Sequence, residues 1–219
     1  MARGLAKRVE ARYVFYGNFL TDATMSQTAQ PNLEPGRAYR TRDLRRWSAN
    51  PTRLARRLVR DGKLREAAHG LYYAPVESRF GPAPAREEEI LRAFFGKSRF
   101  VITGPPRWNA LGLGSTAMFA ATLVYNTRRT GDFTLDGRRF LFRRVLFPES
   151  PSPEWFVVDL LQHHEMAGAS LDELKEGLVA TLRDARWNRH RLREMASAYG
   201  TRATLALVER CLAAAGPVS

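Results

Sequence analysis

Residues 41–73, TRDLRRWSANPTRLARRLVRDGKLREAAHGLYY, decide how the rest of the chain is read. Thr41 is positioned as a helix N-cap ahead of Arg42, Asp43 and Leu44, and Asp43 puts a negative charge where the helix dipole favours one. A short helix to about Trp47 is expected. Ser48 and Ala49 then form a tight turn, and Asn50 caps a second helix with Pro51 at its first position, where a missing N–H costs nothing. At 100° per residue, Leu54, Ala55 and Leu58 share one face with Val59 at its edge. Arg53, Arg56, Arg57 and Arg60 gather on the opposite side. Asp61-Gly62 ends this helix, because glycine adopts the left-handed conformation of a C-terminal cap. Leu64–Ala67 and Gly70–Tyr73 read as two short strands around a tip near His69. Helix, turn, helix and wing in this order predict a winged helix-turn-helix at the N-terminal side of the chain.

A helix with an apolar stripe on one side and four arginines on the other suits a recognition helix in a major groove. Arginine clamps phosphates or pairs bidentately with guanine, and Asn50 and Thr52 sit at the helix end that usually reaches base edges. A solvated, arginine-rich surface helix is the plainer reading of the same residues. The co-occurrence of motif and charge favours double-stranded DNA as the partner.

The net charge of the 219 residues is +13, and it is unevenly spread. Residues 36–73 hold eleven Lys/Arg against three Asp/Glu, and residues 121–147 hold six Arg against two Asp. The remainder is nearly balanced, at 18 against 17. Two basic patches point to a polyanion. Nucleic acid is favoured over a membrane surface, since no lipid-anchor motif or basic helix with bulky aromatics accompanies them. The single cysteine, Cys211, excludes an internal disulfide and a cysteine metal cluster. No run approaches the roughly 18 apolar residues of a membrane span, and no apolar run follows the N-terminal charges. A cytoplasmic location is expected.

Leu5, Val9, Tyr13, Tyr16 and Leu20 recur at helical spacing and suggest a first helix, followed by a polar loop from Thr21 to Pro35. Residues 76–84, rich in Pro and Gly, are expected as a linker between a domain at 1–75 and a second at 85–219, with 1–35 an extension. Beyond it, Glu87, Glu88 and Glu89 open a helix that buries Ile90, Leu91, Phe94 and Phe95. Phe100–Thr103 is a candidate strand, Pro106–Leu111 a short helix, and Thr122–Asn126 another strand. Asp136-Gly137 is a favoured primed hairpin turn, so Leu135 should pair with Arg138 and Phe133 with Phe140. Arg128, Arg129, Arg138, Arg139 and Arg143 make this hairpin a second basic surface. It is either a solvated sheet face or a contact for DNA or an acidic protein. Four helices should follow the proline-rich 148–153, one of them opened by a Ser170/Glu173 capping box. The expected fold class is α+β: the winged helix, then a C-terminal α/β domain with a small antiparallel sheet and a helical bundle.

Catalytic chemistry finds little purchase. His163, His164 and Glu165 are helix neighbours about 100° apart and cannot ligate one metal as i, i+4 residues do. Asp132 and Asp136 resemble the paired acids of a metal-dependent nuclease, but no lysine follows at the usual spacing. No nucleophile elbow occurs, and Gly112/Gly114 form only a GxG fragment, so no catalytic residue, metal or cofactor is expected. A nuclease using Asp132 and Asp136, and a winged helix used for protein contacts, remain the alternatives.

The segments ARRLVRDGKLREAAHGLYYAP (residues 55–75), NALGLG (109–114) and VYNTRRTGDFTLDGRRFLFRRV (124–145), with a helical tail, resemble the AbiEi-type antitoxins and their winged-helix relatives in bacterial abortive-infection operons. The resemblance runs from Gly36 to the C-terminus and leaves out the stretch to Pro35. It implies a transcriptional repressor that binds inverted repeats in its own promoter. It also implies antagonism of a co-encoded nucleotidyltransferase toxin, with no signature residue for that role. Carried over by position, DNA contacts fall on Arg42, Arg45, Arg46, Asn50, Thr52, Arg53, Arg56, Arg57 and Arg60, with wing residues Lys63, Arg65 and His69. Monomeric or dimeric binding is left open.

Overall fold

Asn50 and Gly62 bracket the helix that the sequence marks most clearly, and the computed structural model, which describes residues 31–113 and 120–216, places it among mixed α+β structure. The expected helix at residues 1–20, most of the loop that follows and Gly114 of the GxG fragment lie outside the described residues. Strand β1 (Ala38–Arg40) leads into a 3-10 helix, Thr41–Arg46, and then α1 (Pro51–Arg60). Strands β2 (Arg65–Ala68) and β3 (Leu71–Tyr73) complete an antiparallel sheet in the order β1-β3-β2. Thr41 is not the cap that its position suggests. Its hydroxyl donates to the Gly70 carbonyl (3.4 Å), while the Asp43 carboxylate accepts from the Arg40 N–H (2.8 Å) and helical structure begins one residue early. Asn50 caps α1 as expected, its side-chain oxygen accepting from the Arg53 N–H at 3.0 Å. Gly62, at φ +71°, turns the chain out of the helix.

One face of this sheet packs on the 3-10 helix and α1. Tyr39, Leu44, Leu54, Ala55, Leu58, Leu64 and Tyr72 form a small core there, with Trp47 and Val59 partly buried against it. Each fully buried leucine contributes about 1.5–3 kcal/mol. The other face continues into the rest of the molecule. Ala38, Ala67, Leu71 and Tyr73 share a second core with residues of α2 (Glu87–Phe95) and of a four-stranded sheet beyond it.

The stretch expected as a linker is a hairpin of two short strands, β4 (Val76–Ser78) and β5 (Gly81–Ala83). This hairpin is largely exposed, and the second core joins residues on either side of it, so the apolar contacts do not stop at residues 76–84. The four-stranded sheet comprises β6 (Phe100–Thr103), β7 (Ala121–Asn126), β8 (Gly131–Leu135) and β9 (Arg138–Arg144), in the order β6-β7-β9-β8. A short helix, α3 (Pro105–Asn109), follows β6. The β8-β9 hairpin pairs Leu135 with Arg138 and Phe133 with Phe140 around Asp136 (φ +51°) and Gly137 (φ +72°), the expected primed turn. The small sheet is not wholly antiparallel, however. β9 docks against β7 in parallel, because the hairpin inserts with β9 inward.

Phe133, Leu135, Phe140 and Phe142 face α2, and Leu123 and Tyr125 face the helices on the other side. Those helices are α4 (Pro153–Gln162), α5 (Leu171–Arg183), α6 (Arg189–Tyr199) and α7 (Arg202–Ala215). The Ser170/Glu173 capping box is present, both reciprocal bonds measuring 3.1 Å. Among the described residues, no helix is long and apolar enough to cross a membrane.

Candidate nucleic-acid interface

Alternation of Leu54, Ala55 and Leu58 into the core leaves Arg53, Arg56, Arg57 and Arg60 exposed along α1, with Asn50 and Thr52 exposed at its start. A shallow groove runs along this face from Ser48 to Arg60. Arg53, Arg56 and Arg57 have no ion pair among the described residues, and Arg60 has only its neighbour Asp61 at 3.7 Å. Unpaired guanidinium groups in a row keep their charge available to an incoming polyanion. Asn50 is less free than expected. Its side-chain oxygen accepts from the helix N-terminus, which leaves one lone pair and its amide N–H groups for a ligand.

The arginines of the 3-10 helix divide. The Arg46 guanidinium lies 3.8 Å from the Trp47 ring centroid and 5.7 Å from that of Tyr39, which orients it by stacking. Arg45 is exposed. Arg42 points toward Gly96, at the end of α2, where Arg40 also reaches. Lys63 and His69 are exposed, His69 at the tip between β2 and β3. Arg65 is exposed beside the Tyr73 hydroxyl, which burial and the Asp136 carboxylate push above its usual pKa.

The second basic surface is not one surface. Arg138 is half-buried between Glu87 (3.7 Å) and Asp136 (3.8 Å), and Arg139 pairs with Asp132 (3.8 Å). Strand alternation turns Arg139 and Arg143 to the face opposite Arg138. Arg128 and Arg129, in the loop after β7, instead approach the first patch. Arg129 lies over the Phe94 ring (5.0 Å), and the Arg128 guanidinium donates to Ser98 (3.4 Å). Arg40 connects the two patches. Its guanidinium donates to the Ala93 carbonyl, and burial, with the nearby charges of Arg42, Arg128 and Arg129, lowers its pKa. Sequence reasoning passed over Arg40, whose role depends on a contact 53 residues away.

A buried polar cluster was also missed. Asp159, in the apolar run of α4, accepts hydrogen bonds from Thr103 (2.5 Å), the Trp108 indole (2.9 Å) and Tyr125 (2.8 Å). Its carboxylate lies 3.3 Å from His163 Nδ1 and raises the His163 pKa against the opposing effect of burial. An acid within the apolar run FVVDLL, apart from Glu154 at the helix start, was the available signal. His164 turns away toward the Ala169 carbonyl, so the two adjacent histidines share no site. Asp132 and Asp136 are likewise held apart in function, each beside its own arginine, with Asp136 also accepting from the Tyr73 hydroxyl (3.1 Å). Among the described residues, no three His, Cys, Asp or Glu side chains are grouped to hold a metal.

No protein-family model and no curated protein matches the chain. Among solved structures, it is similar to the Rv2827c protein from Mycobacterium tuberculosis, at 14% identity and a TM-score of 0.49, over 82% of this chain and 72% of that one.

Proposed function

We propose that the chain is a winged helix-turn-helix transcriptional repressor that binds promoter DNA of its own operon through α1. The observation that carries this reading is the exposed row of Arg53, Arg56, Arg57 and Arg60, opposite a fully packed apolar stripe. The strand order β1-β3-β2 around the 3-10 helix and α1 supports it, because this is the arrangement in which a recognition helix stands beside a wing. α1 enters the major groove, the β2-β3 turn with His69 follows the adjacent backbone, and Arg40, Arg42, Arg128 and Arg129 extend the phosphate contacts. The resemblance to AbiEi-type antitoxins adds antagonism of a co-encoded nucleotidyltransferase-type toxin in the cytoplasm.

A mobility-shift titration against the DNA upstream of the gene tests the repressor role, with scrambled DNA of equal length as competitor. Retardation that scrambled DNA does not compete supports the reading; equal competition by both rejects an operator-specific role. Co-expression with a neighbouring nucleotidyltransferase-like gene tests the antitoxin role. Growth restored by the chain supports it, and continued toxicity rejects it.

A further inference from the structure

The two edges of the four-stranded sheet differ. At the β8 edge, the Asp136 N–H donates to the Ala67 carbonyl of β2 (2.7 Å), and Asp132 and Thr134 are exposed along the strand. At the other edge, among the described residues, β6 pairs only with β7, in regular register from Phe100 to Thr103. Phe100, Val101 and Ile102 carry no charge, bulge or proline; of the devices that usually protect an edge, the strand has only its short length of four residues. A groove touches all three of these successive residues. Because alternate residues of a strand point to opposite faces, a groove that meets all three runs along the strand's open side. Its walls come from both layers, α2 on one face of the sheet and Phe156 of α4 on the other.

We propose that this edge binds a second copy of the chain, β6 against β6 in antiparallel fashion about a two-fold axis perpendicular to the sheet. The flanking charges fit that occupant. Glu88 and Arg92, one turn apart on α2, both border the groove. In an isologous contact residue i meets j and j meets i, so Glu88 of one copy faces Arg92 of the other, twice. Glu88 has no ion pair among the described residues; Arg92 pairs with Glu89 of its own helix. On the far layer Phe156 supplies apolar contact, while Arg107, at the rim, stays in solvent. The outward backbone groups of β6 gain partners, and the two sheets become one of eight strands. This pairing stands whether or not the chain binds DNA.

The test uses the full chain and its mass in solution by light scattering. The wild-type chain should move from 24.8 kDa toward twice that mass as concentration rises. Glu88→Arg and Arg92→Glu each put like charges across the axis and should stay monomeric alone. Mixing the two variants restores both opposite-charge contacts and should recover the dimer, which misfolded variants would not do. A wild-type chain that remains at 24.8 kDa at its highest soluble concentration overturns the proposal and leaves the edge to a strand of a different protein. Single variants that dimerise like the wild type overturn it equally.

Discussion

Replacing Asp159 by alanine strands three donors in a buried site: the Thr103 and Tyr125 hydroxyls and the Trp108 indole. The cost should be about 3–5 kcal/mol, the range for removing one member of a buried charged network. Urea unfolding measures it, and a loss below about 1 kcal/mol would mean that water replaces the carboxylate. His163 adds a pH dependence. Asp159 raises its pKa in the folded chain above the ordinary 6.5, so the folded state holds the proton more tightly than the unfolded one. That stabilisation is complete below about pH 6.5 and is lost as pH rises through the folded-state value. Unfolding midpoints should therefore fall across that window in the wild type and less so in His163→Gln; parallel profiles would contradict the pairing. Only the acid in the apolar run of α4 was legible in the sequence; its partners were not, because Thr103, Trp108 and Tyr125 reach Asp159 only when β6, α3, β7 and α4 pack together.

At the level of elements, local signals were readable where a helix or turn is closed by its own neighbours. Asn50-Pro51, the Ser170/Glu173 box and Asp136-Gly137 all act within four residues, and each is found where its chemistry indicates. Asn50→Ala should cost about 0.5–2 kcal/mol through loss of the cap. Thermal unfolding checks this, and Asn50→Asp should restore most of the loss because aspartate caps equally well. An equal loss in both variants would mean that Asn50 acts through its amide N–H groups instead. β1 was not legible: three residues, AYR, have no period, and they become a strand only by pairing with β3. The β4-β5 hairpin was hidden by its Pro and Gly content, and the parallel docking of β9 on β7 carries no local signature.

Across the whole molecule, the sheet of β1, β2 and β3 has one face for its own helices and one for the C-terminal part. A fragment ending at residue 78 would leave Ala38, Leu71 and Tyr73 facing water in place of Ile90, Leu91 and Phe95. Such a fragment should lack the cooperative unfolding of the full chain by circular dichroism, and a sharp transition would demonstrate an independent domain. The same shared core brings Arg128 and Arg129 toward Arg40 and Arg42, joining patches that stand far apart in sequence. Charge counting along the chain found both patches; only the packing reveals which of their arginines face one another and which are tied to Glu87, Asp132 and Asp136.

In the proposed complex, the arginine row of α1 meets the phosphates of duplex DNA. The salt dependence of binding by the wild type and by Arg53→Ala/Arg57→Ala tests it most directly. With about 4 to 6 phosphates neutralised, the wild-type slope of log affinity against log salt should be roughly −4 to −5. The double variant should bind more weakly, with a slope shallower by about 2. A folded double variant with the wild-type slope would contradict the assignment.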